Sequence, residues 1–220
     1  MREQQADQGK VDGGKRMKVE SIVLGSIGTN CYIVTNEETK ECFAVDMADC
    51  PQEFVKHIKD AGLCVKALLL THGHFDHIGA IDELVEKYNC PVYIHQDDYE
   101  MIYNDQLNLS NYYGELKIKS KVTAVDKNID IGDFHFEFLH LPGHTIGSCF
   151  IILKNYHVIF SGDVLFKNGI GRFDFPTSSS TDTRNSIKKI KEIKDDYEIY
   201  PGHGELTTLI QEKLNNPYLQ

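Results

Sequence analysis

Short apolar runs alternate with polar stretches along the whole chain, and two periodicities can be separated within them. Runs rich in β-branched and aromatic residues predict strands at 18–24, 32–35, 42–45, 65–70 and 92–94 in the first half. In the second half the same signal falls at 122–125, 134–139, 149–153, 158–160 and 198–200. Apolar residues at helical spacing predict helices at 52–61, 77–88, 183–193 (through Ile187, Ile190 and Ile193) and 205–214. Ser178-Ser179-Ser180 is placed to cap the third of these. Strands in both halves with helices between them suit an α/β chain in which two sheets pack face to face beneath covering helices. The tyrosine- and asparagine-rich segment 97–114 reads either as a helical insertion or as a loop over a site mouth.

Composition sharpens this picture. A chain of 220 residues, 41% of them hydrophobic, buries a proper core and suits one large domain, expected over 17–220. Residues 1–16 are polar and glycine-punctuated, without the apolar stretch of an export signal, and read as a disordered extension. No run approaches a membrane span, so a cytoplasmic protein without a membrane partner is expected. The six cysteines form no C-x-x-C pair and are expected to be free thiols, with Cys31 and Cys149 as small core residues. The formal charge of −10 argues against nucleic acid as a partner, because that affinity rests on phosphate neutralisation. Lys188, Lys189, Lys191 and Lys194 do cluster, but on the solvated face of a predicted helix. A small-molecule substrate is the remaining expectation.

The chemistry is concentrated in Thr71-His72-Gly73-His74-Phe75-Asp76-His77, directly after the apolar run Ala67-Leu68-Leu69-Leu70. Three imidazoles and a carboxylate on one turn would repel when charged and be costly to bury without a cation. They suit Zn²⁺, Fe or Mn²⁺, and their spacing sends His72 and His74 to one side while Asp76 and His77 can turn to the other. One turn can therefore serve two metals, provided more ligands come from downstream. His144, Asp163 and His203 each follow an apolar strand-like run and each sits beside glycine, in Pro142-Gly143-His144-Thr145, Ser161-Gly162-Asp163 and Pro201-Gly202-His203-Gly204. Sharp turns at the ends of rigid strands are where a preorganised site is built. His57, His95, His135, His140 and His157 read as surface or hydrogen-bonded core residues. Gly169-Ile170-Gly171 lacks the third glycine of a phosphate cradle.

In order and wording these segments resemble the five motifs of the metallo-β-lactamase fold hydrolases: Asp46, the 72–77 turn, His144, Asp163 and His203, over nearly all of 17–220. Asn30-Cys31-Tyr32-Ile33-Val34, Leu141-Pro142-Gly143-His144-Thr145-Ile146-Gly147-Ser148 and Gly162-Asp163-Val164-Leu165-Phe166 are similar to the glyoxalase II-like branch. The resemblance implies a four-layer αββα sandwich with one metal on His72, His74 and His144, a second on Asp76, His77 and His203, and Asp163 bridging. It implies that Asp46 binds no metal and braces the histidine turn by hydrogen bonds. Two features depart from typical glyoxalase II: Arg172 and Asp174 stand where a lysine and a tyrosine are usual, and with only a short stretch after His203 the helical C-terminal domain supplying much of the glutathione site is not expected.

The expected activity is hydrolysis of a thioester or related small acyl substrate. Two divalent ions, zinc first with iron or manganese also suited, would make hydroxide available at neutral pH, oriented by Asp76 and Asp163. Arg172 is a candidate substrate contact, set against a local ion pair with Asp174. One competing expectation is a mononuclear Fe persulfide dioxygenase on His72, His144 and Asp163, a branch that shares the Gly-Arg-x-Asp loop. Others are a lactone or phosphodiester hydrolase on the same ligands, and a non-catalytic binding relative of the fold. β-Lactam hydrolysis is disfavoured by the bridging Asp163 and the missing export signal.

Overall fold

Alternation in the strands sorts their side chains onto two faces, and a computed structural model describing residues 10–12, 15–114 and 116–220 shows what each face meets. The first sheet runs β1 (Lys10–Asp12), β2 (Lys15–Leu24), β3 (Thr29–Asn36), β4 (Glu41–Val45), β5 (Cys64–Leu70), β6 (Val92–His95) and β7 (Val122–Val125) in sequence order. It is antiparallel as far as β4 and parallel from β4 to β7. The second sheet orders β13 (Thr207–Thr208), β12 (Glu198–Pro201), β11 (Val158–Gly162), β10 (Cys149–Leu153), β9 (Phe134–His140) and β8 (Asn128–Ile131). The chain passes from one sheet to the other through only Asp126 and Lys127, between β7 and β8.

Val34, Phe43, Val45, Ala67 and Leu69 of the first sheet face Phe136, Phe138, Ile151, Val158 and Phe160 of the second in a shared core. The intervening residues point outward. Leu68, Leu70, Val92 and Ile94 pack with Phe54 and Ile58 of α1 (Gln52–Asp60), Ile78 of the short α2 (Phe75–Ile78) and Ile81 and Leu84 of α3 (Ile81–Tyr88). Phe150, Ile152, Ile159 and Ile199 pack with Ile190 of α4 (Ser180–Glu192) and Leu209 of α5 (Leu209–Asn215). The result is the expected αββα sandwich, and it explains the near-continuous apolar runs of β5, β10 and β11: these strands are covered on both faces.

The structure revises several element bounds. The helix expected over 77–88 is two, because Met47 N donates to His77 O (2.9 Å) and Ala80 N to Met47 O (3.1 Å), pulling the backbone away at Gly79-Ala80. The helix expected from 205 starts at Leu209, after Thr207 and Thr208 pair with β12. Residues 10–12 and 15–16, expected in a disordered extension, are strand; Lys10 pairs with Met17, so the sheet begins ahead of residue 17. The rest of that extension, residues 1–9, 13 and 14, lies outside the described residues. Segment 97–114 contains two 3₁₀ turns, Gln96–Tyr103 and Ser110–Tyr112, anchored by buried Asp98, Met101, Ile102 and Asn108. Among the described residues no helix is long and apolar enough to cross a membrane.

Candidate metal centre

Strands β4 and β5 lie parallel and end together, which sets Asp46 beside Thr71. Asp46 takes a left-handed backbone (φ 53°) and turns its carboxylate back over the β5 end. There Oδ1 accepts from Thr71 N (2.8 Å) and Oδ2 from Thr71 Oγ1 (2.6 Å) and from His77 Nδ1 (3.0 Å). Both oxygens are occupied by donors, so although Asp46, His72 and His77 lie close enough to share an ion, Asp46 acts as a brace. His74 ends the extended segment and begins α2, whose single turn places Asp76 and His77 on the buried side. His144 follows β9, Asp163 follows β11 and His203 follows β12, so the second sheet delivers its groups from three strand ends to meet the turn from the first.

These groups assemble into two triads, His72–His74–His144 and Asp76–His77–His203, each with ligand atoms within 4.8 Å of one another. Asp163 lies between them, with Oδ1 3.5 Å from His77 Nε2 and Oδ2 3.5 Å from His144 Nε2 and 3.6 Å from His203 Nε2. Every site residue singled out from the sequence as a metal ligand is thus brought to one place. A Cβ at Gly202 would run into Asp163 Oδ1, so the Pro201-Gly202-His203 turn needs glycine to approach this closely.

Hydrogen bonds fix which ring nitrogen faces inward. The single proton of the Thr71 hydroxyl goes to Asp46, so its contact with His72 Nδ1 (3.1 Å) is one it accepts, and His72 keeps its lone pair on Nε2. His144 Nδ1 donates to Arg172 O (2.7 Å) and His203 Nδ1 to Gly28 O (3.3 Å), leaving Nε2 for the centre in both. His77 Nδ1 donates to Asp46 with the same consequence. His74 turns Nδ1 to within 2.9 Å of His144 Nε2. His72 Nε2, His74 Nε2, His77 Nε2 and Asp163 Oδ1 are buried without a hydrogen-bond partner. Buried polar atoms are nearly always paired. Orphaned His72 Nε2 and His77 Nε2, with His74 Nδ1 and His144 Nε2 turned toward each other at 2.9 Å beside carboxylates, are the signature of a cation site, and the residues fit divalent ions.

The electrostatics agree. Burial pushes His72 and His74 well below the ordinary imidazole range, so both are neutral and able to ligate. Burial would raise Asp76, but His77 and His203 beside it hold it far below the usual carboxylate range. Burial would lower His77, yet Asp76, Asp46 and Asp163 hold it well above the ordinary value. The carboxylates call for positive charge, which a proton on His77 or a metal ion can supply.

Three participants were not singled out from the sequence. Thr29 Oγ1 donates to Asp76 Oδ2 (3.0 Å), and Thr71 links Asp46 to His72. Phe175 stands over the first triad, with ring centroids 5.3 Å from His74 and 5.8 Å from His144; its place beside Arg172 and Asp174 was the one available hint. Arg172 makes the local ion pair with Asp174, through two hydrogen bonds of 2.9 Å, and its guanidinium carbon lies 4.5 Å over the Phe175 ring. Tyr113, from the tyrosine-rich segment, stacks on Phe75 at 4.4 Å.

The remaining histidines have structural partners. His57 pairs with Glu20 (3.4 Å), His135 with Asp130 (2.6 Å) and His157 Nδ1 with Asp196 O (3.0 Å). His95, Asp97 and His140 approach one another closely enough for an ion. However, the two imidazoles stack nearly parallel (4.2 Å, 16°), so their in-plane lone pairs do not converge, and His140 Nε2 is engaged by Ile146 O at 2.8 Å. All six cysteines are free, Cys31 and Cys149 among the buried ones.

The family model described as the metallo-beta-lactamase superfamily matches residues 25–203. A Haemophilus influenzae protein named hydroxyacylglutathione hydrolase GloC is 32% identical over 92% of this chain and 98% of its own length. A crystal structure of BLEG-1 B3 metallo-beta-lactamase is 35% identical with a TM-score of 0.86, covering 92% of this chain and 99% of that one. A crystal structure of TTHA1623 in a di-iron-bound form is 32% identical with a TM-score of 0.81, covering 90% and 99%.

Proposed function

Because the chain belongs to the metallo-β-lactamase superfamily, we propose that it is a binuclear metallohydrolase of the glyoxalase II-like branch, cleaving a small thioester. The observation that carries this reading is the pair of triads, with His72 Nε2 and His77 Nε2 buried and unpartnered, and Asp163 between them. His72, His74 and His144 would hold one ion, Asp76, His77 and His203 the other, and Asp163 both. A relative named hydroxyacylglutathione hydrolase supports the thioester, and a relative in a di-iron form supports two ions.

Divalent ions there, zinc being the first candidate with iron or manganese also suited, supply Lewis acidity that brings the ionisation of water from 15.7 to about 7 and polarises a carbonyl. The chain's residues supply orientation. Asp76, ionised at neutral pH and fixed by Thr29, offers a lone pair to a water proton and thereby aims the oxygen at the acyl carbon. Asp163, between the two triads, would help orient the same water. Neither needs to protonate the departing group: a thiolate, with a free pKa of about 8.5, leaves unaided. Phe175 and the Arg172–Asp174 pair form the wall next to the first triad and would meet the acyl portion. With its charge matched by Asp174, Arg172 offers hydrogen bonds without making the wall strongly anion-selective.

The likeness to BLEG-1 gives β-lactam hydrolysis the standing of a second reading. One preparation tests both. Protein purified without added metal is subjected to elemental analysis, then assayed on S-lactoylglutathione, other small thioesters, a lactone, a phosphodiester and a β-lactam. Two ions per chain, one per triad, with thioesters turned over fastest are expected. A faster β-lactam rate would replace the first reading by the second. One iron per chain, with oxygen uptake on glutathione persulfide, would replace both by an oxygenase.

A further inference from the structure

We propose that Asp98 is a positioning residue that locks together the two turns carrying the first triad, and so sets the affinity of that triad for its ion. The inference rests on the ligand assignment proposed above. Asp98 lies in the 3₁₀ turn Gln96–Tyr103 that follows β6 and is fully buried. Its Oδ2 accepts from Gly73 N (2.9 Å), the residue between His72 and His74. The same oxygen accepts from Thr145 Oγ1 (2.6 Å), next to His144, while Oδ1 accepts from Gly147 N (2.5 Å) in the same turn.

One carboxylate therefore gathers donors from both turns, which come from different sheets. The second turn is stiffened in its own right. Ser148 Oγ accepts from Thr145 N (2.9 Å) and is hydrogen-bonded to Thr145 Oγ1 (2.7 Å), which holds the Thr145 hydroxyl in place beside Asp98. The approach is close enough to dictate residue type: a Cβ at Gly147 would lie 2.7 Å from Asp98 Cγ, and one at Gly73 would lie 2.9 Å from Met101 Cβ. A buried carboxylate is costly unless its oxygens are satisfied. Here the donors that satisfy it are two backbone N–H groups, of Gly73 and Gly147, and the Thr145 hydroxyl, all from the turns that carry the ligands, so the cost is offset only when His72, His74 and His144 are held in their converging arrangement. Groups that orient ligands in this way change metal affinity by about 10- to 100-fold when altered.

Asp98→Asn keeps the volume but turns an NH₂ group either toward Gly147 N or toward both Gly73 N and the Thr145 hydroxyl. Zinc affinity is measured by stepwise chelator competition on the full chain, alongside thermal denaturation of the metal-free protein. The expected result is about a 10- to 100-fold weaker first-triad site, with the Asp76–His77–His203 site shifted less. Thr145→Val, which deletes only the hydroxyl donor to Oδ2, is expected to shift the same site in the same direction by a smaller factor, and it answers the question if the asparagine variant does not fold. Asp82→Asn serves as the control for a brace that is merely structural. Asp82 accepts from Lys119 N (3.0 Å) and Ser120 N (2.8 Å), and its loss is expected to lower thermal stability without moving zinc affinity. Wild-type first-site affinity in both Asp98→Asn and Thr145→Val would overturn the proposal, as would an equal shift in Asp82→Asn. A wild-type protein that binds no zinc, iron or manganese would instead overturn the ligand assignment beneath it.

Discussion

Asp46 shows how a residue whose two oxygens are taken by hydrogen-bond donors can decide which nitrogen of a neighbouring imidazole faces the candidate site. Its carboxylate compels His77 to carry its proton on Nδ1, so replacing it by asparagine sets an amide donor against either Thr71 or the His77 ring. If the ring yields, its proton moves to Nε2 and the inward lone pair is lost. Asp46→Asn is expected to weaken the Asp76–His77–His203 site by about 10- to 100-fold, measured by chelator competition; unchanged affinity would mean that the tautomer is set elsewhere. Proton linkage at His77 gives a second prediction. The imidazole is held above its ordinary value by Asp76, Asp46 and Asp163, and binding must displace that proton. Apparent affinity should then fall by about tenfold per pH unit below the His77 value, with proton uptake or release visible by calorimetry in two buffers. In the metal-free protein the sign is the opposite. A raised folded value contributes stability that is complete below the unfolded value near 6.5 and lost as pH climbs through the folded one. Thermal midpoints of metal-free protein should therefore decline on the alkaline side, and those of loaded protein should not. The residues that converge were legible because histidines and acids crowd one turn and recur beside glycine at strand ends. Asp98 was not. It is one acid in a polar segment, and its partners Gly73, Thr145 and Gly147 lie 25 to 49 positions away.

At the level of elements, legibility followed burial. Strands covered on both faces, such as β5, β10 and β11, announce themselves as apolar runs, whereas Asn-Ile-Asp-Ile of β8 lies at a sheet edge, only half buried, and reads as loop. The interruption between α2 and α3 was hidden for another reason: main-chain bonds to Met47 impose it, and nothing in Gly79-Ala80 forbids helix. Leu69, fully buried on the inner face of β5 just before the histidine turn, is expected to cost about 2–5 kcal/mol when changed to alanine. Chemical denaturation would check this, and a cost below 1 kcal/mol would mean that the two sheets close over the gap. Ser179 caps α4 by accepting from Asp182 N (3.1 Å), and Ser179→Ala should cost about 1 kcal/mol while sparing turnover. A drop in kcat instead would show that the cap also steadies His144, whose turn is bonded to Ser179 N through Gly143 O (2.9 Å).

For the molecule as a whole, the division of labour between the sheets matters most. His72, His74, Asp76 and His77 come from the first sheet's edge of the cage and His144, Asp163 and His203 from the second, so ions held there would join layers that otherwise meet through the apolar interface of Phe43, Phe136, Phe160 and their neighbours. Removing metal with a chelator should lower the thermal midpoint, and readdition at about 100 times Kd should restore about 2.7 kcal/mol. No restoration would place the ions outside the folding equilibrium.

The peptide link between the layers is the pair Asp126-Lys127 and nothing more. A backbone severed at that point would leave two fragments, each with its own share of the cage and neither able to fill it alone. Mixed together, they should reassociate to a degree governed by the free zinc concentration, turning a hydrolase scaffold into a complementation reporter whose signal is its own repair.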